Sequence, residues 1–270
     1  MGRAADAPGG RTVVSESMQV AIEDVRASGS VASAVPRSVL TSVERHEMFS
    51  LLDRHFEGVT PEQFDRDLNE KHWVLRLRRD GRLVGFSTLQ LVEAEHRGRL
   101  VRVVYSGDTI VAPEAWGSPV LARAWIALVR AIQASASDAP WYWLLLSSGF
   151  RTYRFLPVFW RQFWPRCDAA TPSAEQDLMR VFARLLFGDQ YDEAAGVVRF
   201  SHPQRLRSAL ADVPSARSID PHVAFFLLRN RGYTQGDELV CLTDLSDTNL
   251  TAAGRRMVGR PEPCASGAGS

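Results

Sequence analysis

The sequence predicts a mixed α/β (α+β) fold, in which a mixed central sheet is flanked by helices and followed by a mainly helical C-terminal extension. Three observations predict it. Between about residues 73 and 111 the apolar spacing changes from helical to alternating, and Asp80-Gly81 supplies a hairpin turn. Next, Val120, Leu121, Ala124 and Trp125 pattern one face of a helix. The third is "WYWLLLSS" (141–148), an apolar run with the length of a buried strand. Strand, strand, strand, helix, strand, helix reads as an antiparallel meander entering a βαβ unit.

The totals set the frame for the other elements. The chain has 270 residues, 45% hydrophobic and 23% charged, enough for one large domain or a domain with a substantial extension. Thirty-two Lys and Arg face 31 Asp and Glu, a net charge of +1, so no global field draws the protein to nucleic acid or anionic lipid. Cys167, Cys241 and Cys264 are widely spaced, with no CxxC pair and no nearby histidine group, which argues against structural zinc and a disulfide framework. No run of about 18 apolar residues occurs, and "MGRAADAPGGRTVVSESM" has no signal-like apolar core. A cytoplasmic protein with no transmembrane segment is expected.

In chain order, residues 1–18 and 259–270 are rich in small and polar residues and are expected to be loose. Residues 19–165 form the expected core, and 166–258 an extension packed on it. From Ser38, the residues Val39, Leu40, Val43, Met48, Leu51, Leu52 and Phe56 have helical spacing. Thr60, Pro61 and Glu62 mark the start of a second helix as cap, first helical residue and first-turn acid. Strands follow at "HWVLRLRR", "RLVGFSTLQLVEAE" and "LVRVVYSGDTIVA", with Gly107 marking a bulge or splay in the third. A helix is expected from about Pro119 to Ala134, with Ser118 as cap, and another from about Thr152. Beyond Pro165, helices are expected at "AEQDLMRVFARLLFG", "HPQRLRSALADV" and "NLTAAGRRMV" and a strand at "DELVCLTDL", while "DPHVAFFLLRNRGY" is ambiguous.

From Ser38 to Pro165 this order of elements resembles the GCN5-related N-acyltransferase (GNAT) superfamily. In "VAPEAWGSPVLARAW", Val111, Pro113 and Glu114 match the family's Val-x-Pro-Glu type turn. The basic or amide position holds Trp116, and the two motif glycines are replaced by Pro119 and Leu121. The resemblance implies that the N-terminus of this helix holds the pyrophosphate of coenzyme A through backbone N–H groups and the helix dipole. Proline removes one donor and leucine restricts approach. Gly117, Ser118 and Val120 remain as candidate contacts, with Ile110, Val111, Trp116, Arg123, Ser147 and Arg154 completing the expected cofactor set. A helix N-terminus without any ligand is the competing reading.

The resemblance also implies that the strand after this helix diverges from its parallel neighbour and admits the acyl-pantetheine arm. Ser106, Gly107 and Thr109 on one strand, and Ser147, Ser148 and Gly149 on the other, leave room for it. Tyr105, Ser106, Thr109, Ser148, Phe155 and Phe159 are the candidate substrate contacts. The stretch from Trp141 to Arg166 holds ten aromatic residues, four arginines and no acid. If Phe155, Phe159, Trp160, Phe163 and Trp164 lay on one helix they would nearly encircle it, more than one buried face requires. The stretch resembles divergent members that attach fatty acyl groups to amines in natural-product pathways.

Acyl transfer to an amine needs a polarised carbonyl, a deprotonated amine and a proton for the leaving thiolate. Asp108, a carboxylate inside an apolar strand, is the candidate base, and a structural partner such as Arg102 is its other reading. Tyr153 stands where the family places its acid, although a buried structural tyrosine fits equally. His222 is a candidate from the extension, expected to act as a lid or acceptor site together with Asn230. No metal-ligating cluster and no GxSxG elbow is present. The resulting expectation is an N-acyltransferase moving a medium or long acyl group from acyl-CoA or an acyl carrier protein to a small-molecule or peptide amine. Arg123, Arg151 and Arg154 would then face an acidic carrier. The alternative is a catalytically inactive GNAT-like module that binds an acyl lipid or a partner peptide.

Overall fold

Two hairpins and a crossover build the sheet. The computed structural model describes residues 12–13, 20 and 22–258. In order come β1 (Val25–Ala27), β2 (Ser30–Pro36), α1 (Ser42–His55), α2 (Pro61–Asn69), β3 (Trp73–Arg79), β4 (Arg82–His96), β5 (Arg99–Val111), α3 (Val120–Ser135), β6 (Trp141–Ser147), α4 (Phe150–Tyr153) and α5 (Phe155–Phe159). They are followed by α6 (Ser173–Phe187), β7 (Tyr191–Asp192), β8 (Val197–Val198), α7 (Pro221–Arg229), β9 (Glu238–Asp244) and α8 (Ala252–Met257). The sheet order is β7-β8-β9-β6-β5-β4-β3-β2-β1, antiparallel except for the parallel β5–β6 pair that α3 connects. This is the mixed architecture expected from the sequence.

Local chemistry explains most element ends. Thr41 and Glu44 form a reciprocal capping box at α1, and Thr60 accepts from the Gln63 N–H at the start of α2. Asp80 and Gly81 both take positive φ, the conformation of a tight hairpin turn. Side chains alternate across the sheet. Val103, Tyr105, Leu144, Leu146, Val240 and Leu242 pack with Leu178, Met179 and Phe182 of α6. Val104, Trp143, Leu145, Leu239 and Cys241 belong to the core that includes α3.

Several expectations change. α1 begins at Ser42 rather than near Ser38, and Val39 and Val43 are exposed, because the capping box fixes the start. The aromatic segment is two short helices that end by Trp160. Pro157 has no N–H to bond the Tyr153 carbonyl, so one continuous helix cannot form. Phe163–Trp164 then pairs as a short strand with Leu242 and Thr243, so the five aromatic residues do not encircle one helix. "HPQRLRSALADV" is helical only over Ser208–Ala211, and Arg205–Leu206 pairs with Phe56–Glu57. The ambiguous segment is the helix α7, capped by Asp220.

β9, from the expected extension, is a strand of the central sheet, paired with β6 from Leu239↔Ser147 to Asp244↔Tyr142. Within the expected loose segment 1–18, Thr12–Val13 pairs with Val92 and Glu93. The rest of that segment and all of 259–270, with Cys264, lie outside the described residues.

Candidate active site

The site begins where two strands stop pairing. β5 and β6 are paired from Arg102↔Trp141 to Ser106↔Leu145 and no further. Beyond that point β5 stays with β4 as far as Val111, and β6 stays with β9 as far as Ser147. Each strand follows its outer neighbour, and a slot opens between them. A bulge contributes: Ser87 pairs with Thr109 and Leu89 with Ser106, so Gly107 and Asp108 together face Thr88. A side chain is excluded at Gly107, where a Cβ would lie 2.7 Å from both Lys71 Cε and Thr88 Oγ1.

Two cavities meet at this slot. On the α3 face lies an apolar one of ≈ 310 Å³, whose walls include Ile110, Leu121, Ala122, Ile126, Leu145, Phe155 and Phe159. Trp125, Trp143 and Trp160 also line it, with ring centroids 4.4, 4.9 and 6.1 Å apart. At its rim, Trp116 is 45% exposed, donates from Nε1 to the Val111 carbonyl at 2.8 Å, and lies 4.5 Å from the Arg151 guanidinium. On the α6 face lies a polar cavity of ≈ 320 Å³ lined by Asp67, Glu70, Lys71, Gln90, Tyr105, Asp108 and Glu238, among others. Phe56, Ser106, Thr109, Leu145, Ser148 and Thr152 line both.

At the junction, the Ser106 oxygen accepts from Trp125 Nε1 at 3.2 Å and Trp143 Nε1 at 2.9 Å. With both lone pairs engaged, its O–H is left to donate. On the polar side, burial pushes the Asp108 carboxyl up to about 6, with the Asp67 carboxylate adding and Lys71 opposing. Burial, then the charges of Asp108 and Asp67, push Glu238 up to about 8. Asp67 is also raised by burial, against a hydrogen bond that Gln63 donates to it at 2.7 Å. Burial and the surrounding carboxylates raise the Tyr105 phenol, and Lys71 Nζ stands 4.8 Å from its ring centroid.

The candidate residues divide cleanly. Ile110, Val111, Trp116, Gly117, Ser118, Phe155 and Phe159 line the apolar cavity, Tyr105 and Asp108 the polar one, and Ser106, Thr109 and Ser148 both. Six others line neither. Tyr153 is fully buried among Phe163, Phe225 and Phe226, and its hydroxyl donates to the Pro165 carbonyl at 2.9 Å. His222 has Nδ1 3.4 Å from Cys167 Sγ, because α7 packs on the far side of α4. Arg154 is paired with Asp220 at 3.0 Å, Ser147 faces Cys241, and Arg123 Nε is buried. Val120 is fully buried in the core.

The expected cap at the start of α3 shifts by one residue. Pro119 is itself the cap, and the Ser118 hydroxyl accepts from the Val120 N–H at 3.4 Å. Arg102 does not pair with Asp108; its partners are Glu93 and Asp138. Asn230 donates to the carbonyls of Ser147 at 3.4 Å and Asp237 at 2.8 Å, tying the end of β6 to the residue before Glu238.

Sequence reasoning missed Asp67, Glu70, Lys71, Gln90 and Glu238. Gln63, Asp67 and Lys71 recur at helical spacing, but the same pattern marks any solvated helix face. Among the described residues, no group of three or more His, Cys, Asp or Glu could hold a metal ion, and no helix is long and apolar enough to cross a membrane.

No family model matches the chain, and a search of curated proteins also finds no match. Part of the chain is similar to parts of solved structures. A probable N-acyltransferase from Enterococcus faecalis is 17% identical over 50% of this chain and 33% of its own, with a TM-score of 0.39. N-myristoyltransferase of Saccharomyces cerevisiae with bound myristoyl-CoA is 15% identical over 53% and 37%, with a TM-score of 0.36. An acyl-CoA N-acyltransferase from Pseudomonas aeruginosa is 18% identical over 43% and 78%, with a TM-score of 0.31. The matched part thus spans about a third of the first two proteins.

Proposed function

We propose that this protein is an N-acyltransferase of GNAT type that takes a medium or long acyl thioester in the apolar cavity and an amine in the polar one. The observation that carries this reading is the slot, where the two cavities of opposite chemistry share Ser106, Thr109 and Ser148. Asp108 takes the ammonium proton. The freed nitrogen attacks the thioester carbonyl carbon, a C–N bond forms, the C–S bond breaks, and the second proton of the attacking nitrogen passes to the departing thiolate, so amide and thiol are released. The Ser106 hydroxyl, already accepting two indole N–H bonds, donates to the oxygen on which charge develops. Placing Asp108 in low polarity suits a base working near pH 7.

The donor enters beside Trp116, Gly117 and Ser118. Gly117 takes φ +83°, a conformation that favours glycine. Pro119 contributes no donor and the Leu121 side chain lines the wall, so pyrophosphate binding is weaker than glycines would allow and a carrier-protein donor is as suitable as acyl-CoA. The same entrance favours a second reading, a module that binds an acyl lipid without turnover. The test incubates the protein with acetyl- to palmitoyl-CoA, the matching acyl carrier protein thioesters and a panel of amines, with products read by mass. Amide formed with medium or long donors supports the transferase. Stabilisation by free fatty acid, with no amide from any donor, selects the binding module.

A further inference from the structure

The polar cavity carries more carboxyl groups than a simple amine needs. Among the described residues, Asp67, Glu70, Asp108 and Glu238 line it, and the basic side chains on its wall are Lys71 and His202. Among the described residues, the side-chain carboxyls of Asp108 and Glu238 make no hydrogen bond or ion pair, although Glu238 is paired in its strand. A second, independent observation concerns a neutral group. Gln90 is 3% exposed and lies on this wall, and its Oε1 has no hydrogen-bond partner. Carboxylates and an amide oxygen are all acceptors, so the missing occupant is a donor. One ammonium next to Asp108 at the slot would leave Glu238 unanswered, and Glu238 belongs to a different strand on the other side of the opening.

We infer that the acceptor carries two positive charges, a primary amine that reaches Asp108 at the slot and a second cationic group held by Glu238 with Gln90 and Asp67. This rests on the transferase reading for the fate of the first amine; the binding claim stands on the cavity alone. Asn230 is a positioning residue here, because its two carbonyl contacts set β9 against the end of β6 and so place Glu238.

Calorimetry on the full chain, without any acyl donor, compares 1,4-diaminobutane, butylamine and 4-aminobutanol. The expected result is diamine affinity about tenfold or more above both monocations, lost progressively with added salt. Glu238→Gln should bring the three ligands within about twofold, while decanoic acid still raises the melting temperature as in wild type, which shows that the fold and the apolar cavity persist. Glu62→Gln, exposed on α2 and lining neither cavity, should leave the preference in place. Equal affinity for the three ligands in wild type overturns the inference, as does a diamine preference that survives Glu238→Gln. Turnover separates the two ideas: amide from butylamine and diaminobutane at equal kcat/KM defeats the dication and spares the transferase. Tight diamine binding with no amide from any donor does the reverse.

Discussion

The two cavities differ by little in volume, ≈ 310 against ≈ 320 Å³, and by almost everything in chemistry. Both rest on the same pair of strands. Side chains of a strand alternate between faces, so Trp143 walls one space and Leu146 borders the other. Closely neighbouring backbone therefore supplies a dry compartment and a charged one, and the parting of β5 from β6 joins them. An acyl chain is stabilised by leaving water, whereas a carboxylate base needs only partial desolvation to reach a useful pKa. The contrast is what a reaction between an apolar donor and a cationic acceptor requires.

Asp108→Asn is the largest expected break in this contrast. It should lower kcat/KM by about 10²- to 10⁴-fold with the fold intact. The proposed base would work ionised, so the rate should rise as pH passes through about 6 and then level off. Asp67, Glu70, Lys71, Tyr105, His202 and Glu238 line the same cavity, so a limb centred near 8 would transfer the role to Glu238. On the dry side, Ala122→Trp fills space in the apolar cavity. Long-chain thioesters should lose about tenfold or more in kcat/KM and acetyl donors much less, measured as a chain-length profile.

Asn230→Ala removes the tie between β6 and β9 and should destabilise by about 1–3 kcal/mol in denaturant unfolding, with KM for the amine rising more than KM for the donor. Tyr153→Phe probes a residue that lines neither cavity. It should lose about 1 kcal/mol of stability through the bond to Pro165 and leave turnover unchanged, whereas a large fall in kcat would restore the tyrosine as the acid.

The smallest expected effect is a slope. Asp108 and Glu238 have folded values above their ordinary ones, so both bind protons more tightly when folded. The stability they contribute is present at pH below the ordinary carboxylate range and is lost as pH rises through about 6 and then about 8. Melting temperature between pH 5 and 8.5 should fall more in wild type than in Glu238→Gln, and a diamine should reduce the fall.

What was legible in the sequence was local. Thr60 before Pro61, Asp80-Gly81 between alternating runs, and Gly107 amid bulky strand residues each state a backbone requirement that neighbours satisfy. The same reasoning overextended the aromatic segment, where Pro157 denies the Tyr153 carbonyl a partner and splits the run into two short helices. It also placed Tyr153 at the chemistry from the position where the family has its acid, and His222 as a reactive residue type reaching in from the extension. The fold aims both at the packing between α4 and α7.

The sequence by itself determined the order of strands and helices, the turn before α3, and the small residues that let β5 and β6 separate, because these follow from periodicity and φ/ψ limits acting over a few residues. Only the tertiary structure decided which charges meet. Asp67 from α2, Asp108 from β5 and Glu238 from β9 are separated by 41 and 130 residues along the chain, yet they line one cavity. Long-range strand pairing brings them there, and burial near one another raises the pKa of each. No local pattern encodes a distance set by packing at that range.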